Sequence, residues 1–142
     1  IFPWFSEGDP ICWFSPAERC IIFPDHLKIS KSMKKVLKDG KLSVKTNTCF
    51  AEVIRNCANV ERNDQDGTWI TTTMQQAYID LHQAGYAHSV EVFLNKELVG
   101  GLYGIKINGV LCGASMFCLV SNASKTALVW LCQNEAYTMI IY

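Results

Sequence analysis

Lys31, Lys34, Lys35 and Lys38 recur at i, i+3, i+4 and i+7. On a helix that spacing puts four ammonium groups on one face. Such a face can bind phosphates, and a plain solvated surface is the alternative. Residues 28–45 carry seven lysines (28, 31, 34, 35, 38, 41 and 45) against one acid, Asp39, a local charge of +6. The net charge of zero therefore hides a −6 remainder. Trp4, Trp13 and Trp69 stand in loop-like surroundings, where an indole serves either as a stacking platform or as ordinary packing. Met116 and Phe117 end a hydrophobic strand and can line an apolar pocket. Cys112 or Cys118 with His82 or His88 would make a thiol–imidazole pair, but no local signature supports one.

Other chemistries are missing. There is no G-x-S-x-G, no Walker A and no H-E-x-x-H, and the glycines of "GGLYGIKING" fall within strands rather than at a strand-to-helix turn. The seven cysteines (12, 20, 49, 57, 112, 118 and 132) form no C-x-x-C. That argues against zinc and a disulfide framework and fits a reducing cytosol. Cys112 and Cys132 read as small core residues. With 142 residues, 49% hydrophobic and 18% charged, the composition is that of a soluble globular domain. The apolar runs are too short to span a membrane. The N-terminus lacks a basic n-region and an initiating Met, so it is read as a start within a longer protein rather than a signal peptide.

The elements that must position these residues follow from periodicity. Residues 1–18 are aromatic and Pro-rich and read as an ordered, aromatic-packed loop; residues 19–24 read as a short strand. Ser30 caps a helix that ends at Gly40, with Met33, Val36 and Leu37 inward. Residues 41–46 alternate as a strand. Residues 48–57 form a helix with Phe50, Val53, Ile54 and Cys57 inward, and 58–68 is a polar loop. Thr72 or Thr73 caps a helix ending at Gly85, with Met74, Ala77, Tyr78 and Leu81 on one side. From residue 88 the period changes to two. A three-strand antiparallel meander follows, turning at Asn95-Lys96 and, by a type I′ turn, at Asn108-Gly109. Gly100, Gly101 and Gly104 predict bulges or close backbone approach. Asn122 caps a last helix, and "TMIIY" is a final strand. The fold class is α+β on a mixed, mainly antiparallel sheet with flanking helices.

The runs "IFPWF", "WFSP-x-x-R", "HLKISKSMKKVL", "DGTWIT-x-x-M-x-x-AY", "AHSVEV", "ELVGGLYG" and "CG-x-SMF…NASK-x-AL" stand in the order found in bacterial leucyl/phenylalanyl-tRNA–protein transferases. The chain resembles that family over essentially its whole length. The resemblance implies a cytoplasmic, monomeric enzyme with no metal or cofactor and no membrane partner. It would move Leu or Phe from aminoacyl-tRNA to the N-terminal Arg or Lys of acceptor proteins, marking them for degradation under the N-end rule. It also implies a remnant of a small N-terminal domain (1–18) and a domain similar to the GCN5-related N-acetyltransferases (19–142). Leu102, Leu111, Met116 and Phe117 would form the aminoacyl pocket. Trp4, Trp69, Tyr78, Ser115 and Asn122 would hold the 3′-terminal adenosine, and Lys31, Lys34, Lys35 and Lys38 would meet the tRNA backbone. Aminoacyl transfer from an ester to an amine needs an apolar cup, a grip on the 3′ end, a basic surface and proton management rather than a strong protein nucleophile.

The chain departs from the family pattern at the charged positions. Ala114 stands where the family has Glu in "CGESMF", Cys118-Leu119 replace Ser-Arg, and Ile141 stands where the family's final strand has Asp. The expectation is impaired transfer by a chain cut at both ends, with no catalytic residue assigned. A catalytically inactive aminoacyl-tRNA-binding module is the competing reading. An acyl-CoA-dependent N-acyltransferase is disfavoured, because the pyrophosphate loop is missing.

Overall fold

The structure, a computed structural model, describes residues 2, 3, 5, 8–60 and 68–142. In chain order its elements are β1 (Phe2–Pro3), β2 (Trp13–Phe14), β3 (Ile21–Ile22), a 3₁₀ turn (Pro24–His26), α1 (Lys31–Asp39), β4 (Leu42–Thr46), α2 (Phe50–Asn59), α3 (Thr72–Gln83), β5 (Ala87–Leu94), β6 (Glu97–Ile107), β7 (Val110–Cys118), α4 (Ala123–Asn134) and β8 (Met139–Ile141). The expected meander is β5–β6–β7. It is the centre of a six-stranded sheet ordered β3-β8-β7-β6-β5-β4. Its pairs are antiparallel except β7 with β8, which is parallel. A parallel neighbour needs a crossover, and α4 supplies it. The fold is α+β on a mainly antiparallel sheet.

The helix ends show how local chemistry sets the elements. Ser30 accepts from the Met33 N–H at 3.2 Å, and Gly40 closes α1 in the left-handed region at φ 65°. Met33 is buried, and Lys31, Lys34, Lys35 and Lys38 are all exposed. The cap of α3 is Thr71, not Thr72 or Thr73. Its hydroxyl accepts from the Met74 N–H at 3.3 Å, and three consecutive threonines give the sequence no way to choose. Helix α2 runs to Asn59, past the expected end at 57, and most of the expected 58–68 loop lies outside the described residues. At Asn95-Lys96 both residues are left-handed (φ 52° and 71°), as a type I′ turn requires. At the expected type I′ site only Asn108 is left-handed (φ 52°), and Gly109 is not.

The sheet is covered on both sides. On one face Phe50, Val53, Ile54, Met74, Tyr78, Tyr103 and Phe117 pack beneath α2 and α3. On the other Val90, Val92, Leu102, Leu111, Ala127, Leu131 and Ile140 pack beneath α4. Both faces of β5 are therefore buried, and Ser89 and Glu91 are 1% and 0% exposed. The Glu91 carboxylate survives burial on neutral donors: Ser89 Oγ at 2.6 Å, Thr48 Oγ1 at 3.0 Å and Thr48 N–H at 3.3 Å. The two Thr48 donors lie just before α2, whose N-cap residue Cys49 makes no side-chain cap of its own.

The expected aromatic-packed loop at the N-terminus is not what forms around Trp13 and Phe14. They pair with β1 in a separate two-stranded ribbon and are 64% and 47% exposed. A two-stranded ribbon cannot bury both of its faces. Cys112 and Cys132, expected in the core, are half-buried, and Cys57 is the buried one. No helix of the described residues is long and apolar enough to cross a membrane.

Candidate functional site

Two clefts lie on opposite sides of the sheet. The first, about 140 Å³, opens beside α4. Val90, Leu102, Leu111 and Leu131 form its apolar floor, and His88, Lys106, Glu135 and Tyr137 stand at its rim. Lys106 Nζ sits 5.3 Å over the Tyr137 ring. Burial, with help from Glu135, pushes the Tyr137 hydroxyl up to about 12. His88 Nε2 faces the Gly85 carbonyl at 3.1 Å and so donates to it. In the neutral ring Nδ1 then accepts from the Asn47 side-chain amide at 3.2 Å.

Two of the four expected pocket residues, Leu102 and Leu111, line this cleft. Met116 is half-buried opposite Leu102 on the same face. Phe117 is a correction. It pairs with Gly101 and lies 1% exposed among Val53 and Tyr103 on the other side of the sheet. Consecutive strand residues point to opposite faces, so Met116 and Phe117 cannot line one cup.

The second cleft, about 280 Å³, lies at the β7–β8 end of the other face. Its walls are Pro16, Glu18, Arg19, Trp69, Gly113, Ala114 and Tyr142. The Gly113–Ala114 wall is shaped by a bulge. Tyr103 pairs with Ser115 but Gly104 with Gly113, which leaves Ala114 as the extra residue. Gly104 permits this: a Cβ there would come within 2.4 Å of the Cys112 carbonyl oxygen. The Tyr142 ring covers Gly113, where a Cβ would meet it at 2.7 Å. Arg19 Nε donates to the Tyr142 carbonyl at 3.0 Å, and the Tyr142 N–H donates to the Cys20 carbonyl at 3.0 Å. The buried Tyr142 hydroxyl has no hydrogen-bond partner among the described residues. Burial, and then Cys132, raises its pKa. Tyr142 also packs against the α4-side core, so it touches both halves of the molecule.

Trp69 and Ala114 thus meet in one cleft, and Ile141 stands next to them on β8, paired with Cys112 and with Ile21. Tyr78 does not present a surface. It is 5% exposed, edge-on to Tyr103 at 5.1 Å, with burial, then Cys112, raising its hydroxyl to about 12. Ser115 is likewise buried, beside Tyr103 in register. Asn122 belongs to the far end of the sheet. It precedes Ala123, which packs on Gly100, four residues along β6 from the bulge, or about 13 Å. It occupies the N-cap position of α4 with φ 69° but makes no side-chain cap bond. None of the four α1 lysines lines either cleft. Trp4 lies outside the described residues.

The thiol–imidazole pair is not formed. His82 Nδ1 engages the Ala87 carbonyl at 2.8 Å and its ring stacks on Phe50 at 4.4 Å. Cys118 Sγ points to the Val120 carbonyl at 3.0 Å. Among the described residues there is no group of three or more His, Cys, Asp or Glu able to hold a metal ion. Sequence reasoning missed Arg19, Glu18 and Tyr142 as cleft residues. Arg19 was visible in the shared run "WFSP-x-x-R", but nothing local tied it to residues 69, 113 and 142.

A family profile described as Leucyl/phenylalanyl-tRNA protein transferase matches residues 21–140. Curated relatives bear the same description. That of Flavobacterium johnsoniae is 53% identical over 143 residues, covering 99% of this chain and 68% of the relative. That of Hydrogenovibrio crunogenus is 50% identical over 134 residues, covering 94% and 52%, and that of Idiomarina loihiensis is 52% identical over 129 residues, covering 91% and 54%. The chain spans about half to two thirds of the length of these relatives. A crystal structure of a conserved protein of unknown function from Bacteroides thetaiotaomicron shares the fold at a TM-score of 0.62 and 14% identity, over 87% of this chain and 49% of that one. The profile spans most of the sequence and the relatives agree with it, so the chain belongs to the leucyl/phenylalanyl-tRNA–protein transferase family.

Proposed function

We propose that the chain is the aminoacyl-tRNA-binding part of an aminoacyltransferase that moves Leu or Phe to the N-terminal Arg or Lys of acceptor proteins. The observation that carries this reading is the apolar-floored cleft built on Leu102, Leu111 and Leu131. A floor of buried aliphatic carbon favours an aliphatic or aromatic side chain over a polar one. Trp69, at the other cleft, supports a grip on the terminal adenosine. The exposed lysines of α1 suit the phosphate backbone. The fold reads as similar to the GCN5-related N-acetyltransferases. Support comes from an antiparallel run followed by a helix and a parallel strand. We keep the division into residues 1–18 and 19–142, a monomer and a cytoplasmic location as parts of this proposal.

A second reading, a binding module without transfer, is favoured by Ala114 and Ile141. Neither can carry a proton or a charge, and Ala114 faces the cleft where an amine would arrive. Leu-tRNA titrated across a salt series tests the binding half. The slope of log K against log salt should flatten by about 0.7–0.9 for each α1 lysine contact removed by a Lys→Gln change. A slope unchanged in the fourfold variant would remove the lysines from the interface.

A further inference from the structure

The first cleft sets an unmatched carboxylate at the rim of an apolar floor, and this inference rests on the aminoacyl-pocket reading above. Val90, Leu102 and Leu111 reach the floor from neighbouring strands, and Leu131 closes it from α4. Glu135 follows Leu131 by four residues at the end of α4, a spacing that returns to the same helix face. It is half-buried and lines the cleft. Its charge is felt by the hydroxyl of Tyr137, another lining residue. Among the described residues the Glu135 carboxylate makes no hydrogen bond or ion pair. A carboxylate partly withdrawn from water gains from a charged donor brought to it. Aliphatic carbon and a carboxylate stand here about 6 Å of helix apart. An α-aminoacyl group matches that layout, because its ammonium sits on the carbon that bears the side chain. We propose that Glu135 binds the α-ammonium of the aminoacyl group whose side chain rests on Leu102, Leu111 and Leu131. The substrate class is thereby narrowed to acyl groups with a free, charged α-amine.

Lys106 is the competing cation at this rim. Its Nζ lies over the Tyr137 ring at 5.3 Å and makes no ion pair with Glu135. Its positive charge opposes a second ammonium, so the proposal fixes a sign for it as well: neutralising Lys106 strengthens binding of the charged amine. His88 does not take the place of Glu135, because its Nε2 donates to the Gly85 carbonyl and its Nδ1 faces the Asn47 amide. No other acidic residue lines this cleft among the described residues.

Filter binding of the chain to three forms of one tRNA tests this: uncharged, carrying leucine, and carrying the α-hydroxy analogue of leucine. The analogue keeps the side chain and the ester but not the ammonium. At about pH 6, where an α-amine is charged, the leucyl form should bind roughly tenfold more tightly than the hydroxy form, the range of one charge-assisted hydrogen bond. Glu135→Gln should bring the two to equal affinity, Glu135→Asp should keep part of the gap, and Lys106→Gln should widen it. Equal binding of the leucyl and hydroxy forms, both tighter than uncharged tRNA, overturns the role of Glu135 while leaving the apolar cup standing. Equal binding of all three overturns the cup reading itself. A gap that survives Glu135→Gln assigns the ammonium to another group and also overturns the proposal. The unaltered chain alone decides between the first two of these outcomes, so a variant that fails to fold does not shield the proposal.

Discussion

Replacing Glu91 should unfold the molecule far more readily than the removal of one surface-type residue would suggest. Glu91 is 0% exposed and its two oxygens collect three donors at 2.6, 3.0 and 3.3 Å. Bonds to a charged acceptor are worth about 1.5–3 kcal/mol each, and the longest of the three contributes least. Glu91→Ala strands the buried Ser89 hydroxyl, removes the acceptor of both Thr48 donors at the start of α2 and leaves a cavity, for a total loss of about 3–5 kcal/mol. Glu91→Gln keeps the shape and one acceptor oxygen, which can serve both Thr48 donors, so it should cost about 1–2 kcal/mol. Urea unfolding followed by circular dichroism measures both. With a slope of roughly 1–3 kcal/mol per molar, the Ala variant should lower the midpoint by more than about 1 M. Amide exchange should quicken first at the start of α2. A loss below about 1 kcal/mol for the Ala variant, or equal losses for Ala and Gln, would refute the view that the buried charge anchors α2.

Three further outcomes follow from the packing. Gly100→Ala would drive a Cβ to 2.5 Å from the Ala123 Cβ, costing about 1–3 kcal/mol in a thermal melt, and Ala123→Gly should recover part of the loss. Tyr78 and Tyr137 are raised by burial from 10.0 to about 12, and Tyr142 is raised as well. Their neutral forms favour the folded state, so that stability is complete below pH 10 and should drain away as pH rises towards 12, seen as phenolate absorbance appearing together with unfolding. Burial alone would raise the Cys118 thiol, but hydrogen bonds from Ser124 and Ala123 and the charge of Lys125 outweigh it and lower it. Burial instead raises Cys132 and lifts Cys49 to about 11. Iodoacetamide near neutral pH, read by peptide mass, should therefore alkylate Cys118 well before those two.

Elements were legible where the signal is local. The lysine helix between Ser30 and Gly40, the inward face of α2 and the β5–β7 meander all follow from period and caps. Site residues were less so, because they depend on which strands become neighbours. Phe117 looked like a partner of Met116 until alternation put it on the opposite face. Asn122 looked like part of the same site as Ser115, but the length of β6 separates its helix from the bulge. Tyr78 carries a hydroxyl that reads as a contact, yet a central position under α3 buries it against Tyr103. Arg19 and Tyr142 are far apart in sequence and meet only because β3 and β8 pair at the edge of the sheet. Glu91 was hidden for the same reason, since a strand with helices on both sides has no solvent face. The family resemblance found Trp69 and Ala114 without geometry, and the fold then put them in one cleft.

The proposal is that this chain holds an aminoacyl-tRNA end, and that Ala114 and Ile141 leave it without the two carboxylates that the family resemblance implies would manage the acceptor amine and its proton. Single-turnover transfer of labelled leucine from Leu-tRNA to an Arg-starting peptide, with Leu-tRNA affinity measured alongside, tests it most directly. The comparison is between the unaltered chain and the double variant Ala114→Glu, Ile141→Asp. The account predicts similar tRNA affinity for both and a transfer rate about a hundredfold or more higher in the variant, the usual scale of general acid–base catalysis. Equal transfer rates, whether high or low, would contradict it.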